Sequence, residues 1–472
     1  MKRAIALTLV LFILSLGGLA AVTLWMCRAQ DQVDFTSIVS RGDASVAQGL
    51  RMTEYDLLEN RVLWTTEHEL GREQQETKAE FSEKEIPCIS YGGEFSRNSL
   101  CPMAPGGTEV EAYLKQEMER TMDREVQVRP ADFAAYYDLC LTYFGSGMPT
   151  EQDLQEGMAL KFPLLRIPTQ AEDRLTLVGE IRGENLRYYS GGGMYMANRF
   201  TPLNVTVAGG TVVTAGFDPE VPAKQDWAPA GFGLWLVRGE SNGEADVDLV
   251  YPLDIEKQRV VNMVTSADGQ RIFLFLAEDG ELALQVLRGD TFVPVQTIPM
   301  GKIATQESEE SNWDGSEMQT ISRVEFDPVL VRKGEDFCAV AVGKQLTVLK
   351  TGENGVEVLF SCRMPDLYVV PTADGTDYVW EDEGAVPDNS LTTVNPAQED
   401  WSCSFENMSM VLKDGKLAMA WSGHVLADAN VAVQIYSAQG LEYARFLQCG
   451  LYPRSGGAYF RSERQPVLAW AE

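Results

Sequence analysis

Two Asp-Gly pairs punctuate residues Ser266 to Asp290, SADGQRIFLFLAEDGELALQVLRGD, and leave this segment little choice of structure. A tight hairpin turn needs positive φ at its central residues, a conformation that Gly, and Asp before it, adopt at least steric cost. Asp268-Gly269 and Asp279-Gly280 therefore mark chain reversals. Between them Ile272-Phe273-Leu274-Phe275-Leu276 is apolar on both faces and too short for a typical helix, which suits a strand covered on two sides. After the second pair, Leu282, Leu284 and Val286 alternate with Ala283, Gln285 and Leu287, the period of a strand whose faces differ. The stretch predicts consecutive antiparallel strands.

The same order returns along the chain. In 323–365 a break at Lys333-Gly334 precedes Phe337 to Val342, a Gly343-Lys344 turn, Leu346 to Leu349 and, after Gly355, Val356 to Phe360. In 408–449 Asp414-Gly415 precedes Leu417 to Trp421, then Val431 to Tyr436 and, past Gly440, Leu441 to Leu447. A looser copy occupies 203–253 through Phe232 to Val237 and Val247 to Tyr251. Units of roughly 40 to 45 residues with several short strands each predict an all-β chain of propeller blades. A length of 472 residues leaves room for about six to eight such blades, with seven as the expectation.

Ser266-Ala267-Asp268-Gly269, Ile272, Phe275, Asp279-Gly280 and Leu284-Gln285-Val286 together resemble the S-x-D-G-x-x-I-x-F…D-G…L-x-V pattern of TolB-like β-propeller repeats, with the second aromatic one residue late. The match covers one unit, and the other copies lack the serine and most Asp-Gly pairs. The resemblance implies a blade and a rigid binding platform, and a fold of this kind does not by itself specify an activity.

Met1-Lys2-Arg3 precedes an uncharged run from Ala4 to Met26, which as a helix spans about 35 Å, enough to cross a bilayer's hydrocarbon core. The positive residues predict a three-residue cytoplasmic stub, a signal-anchor helix at 4–26, a linker at 27–48 and a main domain outside the cytoplasm. The rival is a cleaved signal peptide, for which Gly18-Leu19-Ala20 offers small residues. Residues 49–170 read as a mixed segment that packs on the propeller or contributes to it, with a hairpin around Glu59-Asn60 and one short helix at 108–122. Propeller repeats fill 171–472.

A formal charge of −30 repels phosphate polymers, so the membrane is met through Ala4 to Met26 alone and nucleic acid is excluded as a partner. Two acidic stretches interrupt the repeats. Residues 306–318 hold five carboxylates, among them Asp314 and Glu317, around Trp313; residues 366–401 hold nine, among them Asp374, Asp377, Glu381, Asp382, Glu383 and Asp388, around Tyr378 and Trp380. As loops on a rigid scaffold, both are candidate ligand-binding elements, and an aromatic beside carboxylates suits a sugar, a cationic group or a calcium ion. Neither has the spacing of a calcium loop, and no cofactor is expected.

Only two histidines, His68 and His424, are present, with no H-E-x-x-H, no G-x-S-x-G and no phosphate-binding loop. No catalytic residue is assigned. Of the eight cysteines, Cys88 and Cys101 flank a Gly-containing loop that a disulfide could close, and the absence of C-x-x-C argues against a structural zinc. Two functions stay open. One is a membrane-anchored module that binds a protein or a glycan, for instance within an envelope complex. The other is a carbohydrate-active enzyme using an Asp/Glu pair about 5 to 10 Å apart on the propeller face.

Overall fold

The computed structural model describes residues 12–24, 35–58, 61–71, 78–81, 98–103, 125–128, 136–143, 162–168, 177–182, 185–189, 200–238, 246–313, 318–352, 355–372, 375–384, 392–394, 405, 408–422, 431–449 and 463–471. Nearly all of them lie in strands. β1 (Phe35–Gly42) is followed by β2 (Leu50–Leu58), β3 (Arg61–Glu69) and β4 (Lys78–Phe81). Next come β5 (Asn98–Met103), β6 (Glu125–Val128), β7 (Tyr136–Tyr143), β8 (Phe162–Pro168), β9 (Leu177–Arg182) and β10 (Asn185–Tyr189), which sort into two three-stranded sheets, β5-β7-β8 and β10-β9-β6.

Each of the four repeat units recognised in the sequence folds as a four-stranded antiparallel meander. They are β11 (Phe200–Val207) to β14 (Asp246–Pro252) by way of β12 (Gly210–Phe217) and β13 (Gly233–Arg238), then β15 (Arg259–Thr265), β16 (Arg271–Glu278), β17 (Glu281–Arg288) and β18 (Pro294–Lys302). A hairpin, β19 (Thr305–Trp313) and β20 (Met318–Phe326), separates these from β21 (Val329–Lys333), β22 (Phe337–Val342), β23 (Gln345–Gly352) and β24 (Gly355–Arg363). A small sheet of β25 (Leu367–Thr372), β26 (Gly375–Trp380) and β27 (Thr392–Val394) precedes the last meander, β28 (Ser409–Lys413), β29 (Lys416–Ser422), β30 (Val431–Ser437) and β31 (Gly440–Cys449). β32 (Glu463–Trp470) ends the series.

Local chemistry accounts for these units. Asp279 and Gly280 take φ of 51° and 78°, the paired left-handed conformation of a tight hairpin, and join Glu278 to Glu281 across the turn from β16 to β17. Asp268 caps the preceding turn by accepting hydrogen bonds from the Ser266 hydroxyl and the Gln270 N–H. Ile272, Phe273, Leu274 and Phe275 are at most 1% exposed, so β16 is covered on both faces, as its unbroken apolar run predicts. The hairpin expected around Glu59-Asn60 also forms, pairing Leu58 with Arg61.

The chain divides into two compact units. One comprises Met1–Tyr91, Leu330–Lys350 and Glu357–Glu472; the other comprises Gly92–Val329 and Thr351–Val356. In the first, strands from the two ends of the chain are exchanged between sheets: β1 adds to the edge of β31 to give β1-β31-β30-β29-β28, and β32 pairs with β2 to give β32-β2-β3-β4. Its core includes Trp380, Trp421 and Phe446, with both tryptophan rings 6.2 Å from the Phe446 ring. In the second unit Phe217, Phe232 and Trp235 form a chain of ring contacts at 5.9 and 5.8 Å over the β11–β14 sheet. Such aromatic contacts add to the area they bury.

Residues 12–24 are helical and their side chains are exposed on every side. Among the described residues no helix is long and apolar enough to cross a membrane. The helix covers only the middle of the expected 4–26 span, and residues 4–11 and 25–26 lie outside the described residues, as does the helix expected at 108–122.

Candidate functional site

The second acidic stretch, read from sequence as a loop, is corrected by the structure in its described residues, 366–372, 375–384 and 392–394: they form the β26-β25-β27 sheet and a turn that is clamped by cations. Pairing of Leu367 with Trp380 ends the β25–β26 hairpin, and the turn beyond it presents Glu381, Asp382 and Glu383. Arg41 of β1 forks onto Asp382 with Nη1–Oδ1 at 2.7 Å and Nη2–Oδ2 at 2.8 Å, and its Nε lies 3.3 Å from Glu383. The same guanidinium sits 5.1 Å from the Trp380 ring centroid. Gly343, at φ 52°, turns β22 into β23 and presents Lys344, whose Nζ lies 2.6 Å from Asp366 and 3.0 Å from Glu381. Arg363 completes the group at 2.7 Å from Glu381.

Trp380 is 3% exposed and belongs to the core, so it is not the exposed loop aromatic its acidic neighbours suggested. Tyr378 is half-buried on β26 and packs against that core. The basic residues, Arg41, Lys344 and Arg363, carry no sequence signal. Arg41 and Asp382 are 341 positions apart, and only the folded chain joins them. In this network each of the three carboxylates Asp366, Glu381 and Asp382 faces a cation, an arrangement that fastens strands and leaves little capacity for proton transfer.

Its electrostatics set a pH dependence. The Arg41 hydrogen bonds hold the Asp382 carboxyl below the usual carboxylate range. Burial pushes Glu381 up, but the Lys344 and Asp366 N–H hydrogen bonds and the nearby positive charges outweigh it and hold Glu381 low. The Ser266 hydroxyl does the same for Asp268. A carboxyl whose folded pKa is depressed stabilises the fold above its unfolded pKa and loses that contribution as pH falls through the folded value. The thermal midpoint should therefore hold steady down to about pH 5 and drop as pH falls below about 4, where free Asp and Glu titrate. Arg41→Met should flatten that drop in a melting series across pH. An unchanged acid slope would remove the Arg41–Asp382 pair as its source.

In the first acidic stretch the described residues, 306–313 and 318, are strand. β19 and β20 pair along their full length, from Thr305 with Phe326 to Trp313 with Met318. Among the described strands they pair only with each other, so each presents one edge without a ladder partner. The register puts Trp313, Met318, Val324 and Phe326 on one face of the ribbon. β19 carries Glu307, Glu309 and Glu310 and no Lys or Arg. Trp313 thus ends a strand at the ribbon tip, while Asp314 and Glu317 lie outside the described residues. The structure does not bring the Trp313 and Tyr378–Trp380 groups into one sheet.

Among the described residues no three His, Cys, Asp or Glu side chains converge to hold a metal ion. His68 is buried, with Nε2 3.7 Å from the Glu54 carboxylate, and His424 lies outside the described residues. Cys101 is on β5; Cys88 lies outside the described residues.

No protein-family model and no curated protein matches the chain. Solved structures similar to it include Hsv2 of Kluyveromyces lactis, at 9% identity and a TM-score of 0.22, with 88% of this chain and 98% of that one covered. A 6-phosphogluconolactonase-like protein of Bacteroides uniformis is 10% identical, with a TM-score of 0.21 and coverage of 84% and 95%. A functionally unknown protein of Desulfotomaculum acetoxidans is 10% identical, with a TM-score of 0.19 and coverage of 63% and 96%. Likenesses of this strength carry no argument about function.

Proposed function

We propose that the protein is a membrane-tethered, extracytoplasmic β-propeller of TolB-like repeats, about seven blades in all, that binds a partner protein through the β19–β20 ribbon. The observation that carries the binding role is the ribbon itself, a two-stranded sheet whose outer edges pair with no other strand among the described residues. An open edge is a template for another extended chain, whose backbone supplies the missing hydrogen bonds. That chemistry favours a polypeptide over a glycan. Three glutamates on β19 favour a partner segment rich in Lys and Arg, because opposite charge speeds encounter and like charge rejects competitors. For the tether, residues 12–24 carry no charged side chain and expose Phe12, Leu16, Leu19 and Leu24, a surface suited to lipid.

One fractionation experiment tests both parts. The full chain should stay with membranes after alkaline carbonate washing. In detergent, the wild type should retain a partner that a Glu307→Lys, Glu309→Lys, Glu310→Lys variant of equal thermal midpoint loses. A soluble chain beginning near Ala21 would overturn the anchor, and equal partner recovery by both forms would overturn the ribbon as binding element.

A further inference from the structure

We propose that Cys101 and Cys140 form a disulfide when the protein meets a disulfide oxidant. β5 and β7 pair antiparallel in a register that sets Cys101 directly opposite Cys140, flanked by the pairs Leu100 with Leu141 and Pro102 with Leu139. Opposed residues of an antiparallel pair hold their Cα atoms about 4.5 to 5.5 Å apart, with both residues on the same face of the sheet. A disulfide bridges Cα separations of about 4.4 to 6.8 Å. The backbone pairing therefore places the two Cα atoms within bridging range, and a slip of one residue would put the two cysteines on opposite faces.

Two other cysteines are poor competitors. Cys338 and Cys362 are buried free thiols, each pushed up to about 12 by burial, so neither supplies thiolate near neutral pH. The bond closes the long loop between β5 and β7 and so restricts the unfolded chain.

The chemistry is two thiol–disulfide exchanges with an oxidant that itself carries a disulfide, either a small molecule or an oxidoreductase. One cysteine thiolate attacks the oxidant's S–S bond, forms a mixed disulfide and expels one oxidant thiolate, which takes up a proton. The second cysteine thiolate attacks the mixed disulfide at the cysteine sulfur, forms the Cys101–Cys140 bond and expels the other oxidant thiolate. Two electrons pass from the cysteine pair to the oxidant, and two cysteine protons end on the two oxidant thiols.

The test is a peptide map of the full chain in detergent after incubation with oxidised glutathione and alkylation of remaining thiols. The expected product is one peptide pair joined through Cys101 and Cys140 and lost on reduction, still formed in Cys88→Ser. In Cys140→Ser, Cys101 should become alkylatable; if that variant does not fold, the wild-type map decides alone. A Cys88–Cys101 link, or Cys101 and Cys140 both alkylated after excess oxidant, overturns the proposal. The same map on protein alkylated in intact cells reports compartment separately: a pair that links in detergent yet is free in cells tells against an extracytoplasmic location and leaves the pairing standing.

Discussion

Trp380→Ala should lower stability by about 3 to 5 kcal/mol, as expected for deleting a buried large aromatic side chain. The indole is 3% exposed and its ring centroid lies 6.2 Å from that of Phe446, which in turn meets Trp421 at the same separation. Truncation would leave a void in this group, because close-packed neighbours collapse only partly into the space. It would also strip the Arg41 guanidinium of the ring it covers, while the Asp382 fork remained to hold the strand. Urea unfolding of the full chain in detergent is the measurement, with Trp380→Phe as a control expected to recover much of the loss. A midpoint unchanged by Trp380→Ala would return this residue to the solvent-facing role that its acidic surroundings suggest.

That contrast shows which kinds of information the sequence carries. The turns were legible because their determinants are local: Asp279-Gly280 needs no partner beyond the two strands it joins. The four meanders were legible for the same reason, through runs such as Phe337 to Val342 between glycine breaks. Trp380 was misread because acidic neighbours define a composition, whereas burial depends on Arg41 and Phe446, both remote in sequence. A cluster of carboxylates looks like a solvated loop until the cations that neutralise it are placed.

The β19–β20 ribbon has no sequence signature for a different reason. Thr305 to Trp313, TQESEESNW, has almost no apolar residue and so lacks the alternation that marks a half-buried strand. Exchange of the terminal strands, β1 onto β31 and β32 onto β2, is likewise invisible in a linear pattern, although each strand by itself has suitable composition. Local propensity marks where strands lie, and long-range pairing decides which sheet they join.

Phe275→Ala should be as costly as Trp380→Ala, about 3 to 5 kcal/mol, and for a cause readable from sequence. Phe275 is fully buried in β16, where the register opposes it to Leu284 of β17 and to Asn262 of β15. A central strand covered on both faces has no solvent side toward which its neighbours can relax, so the cavity term adds to the lost transfer free energy. Gly280→Val, four residues beyond the end of that apolar run, separates packing from backbone strain. At φ 78° a β-branched residue is strained, yet nothing lies within 4 Å of the position its Cβ would take. Its cost should therefore be the conformational part alone, about 1 to 3 kcal/mol. Denaturant titration of both variants should rank Phe275→Ala as the more damaging; a larger loss at Gly280 would mean that the hairpin turn, and not the doubly covered strand, governs the stability of this sheet.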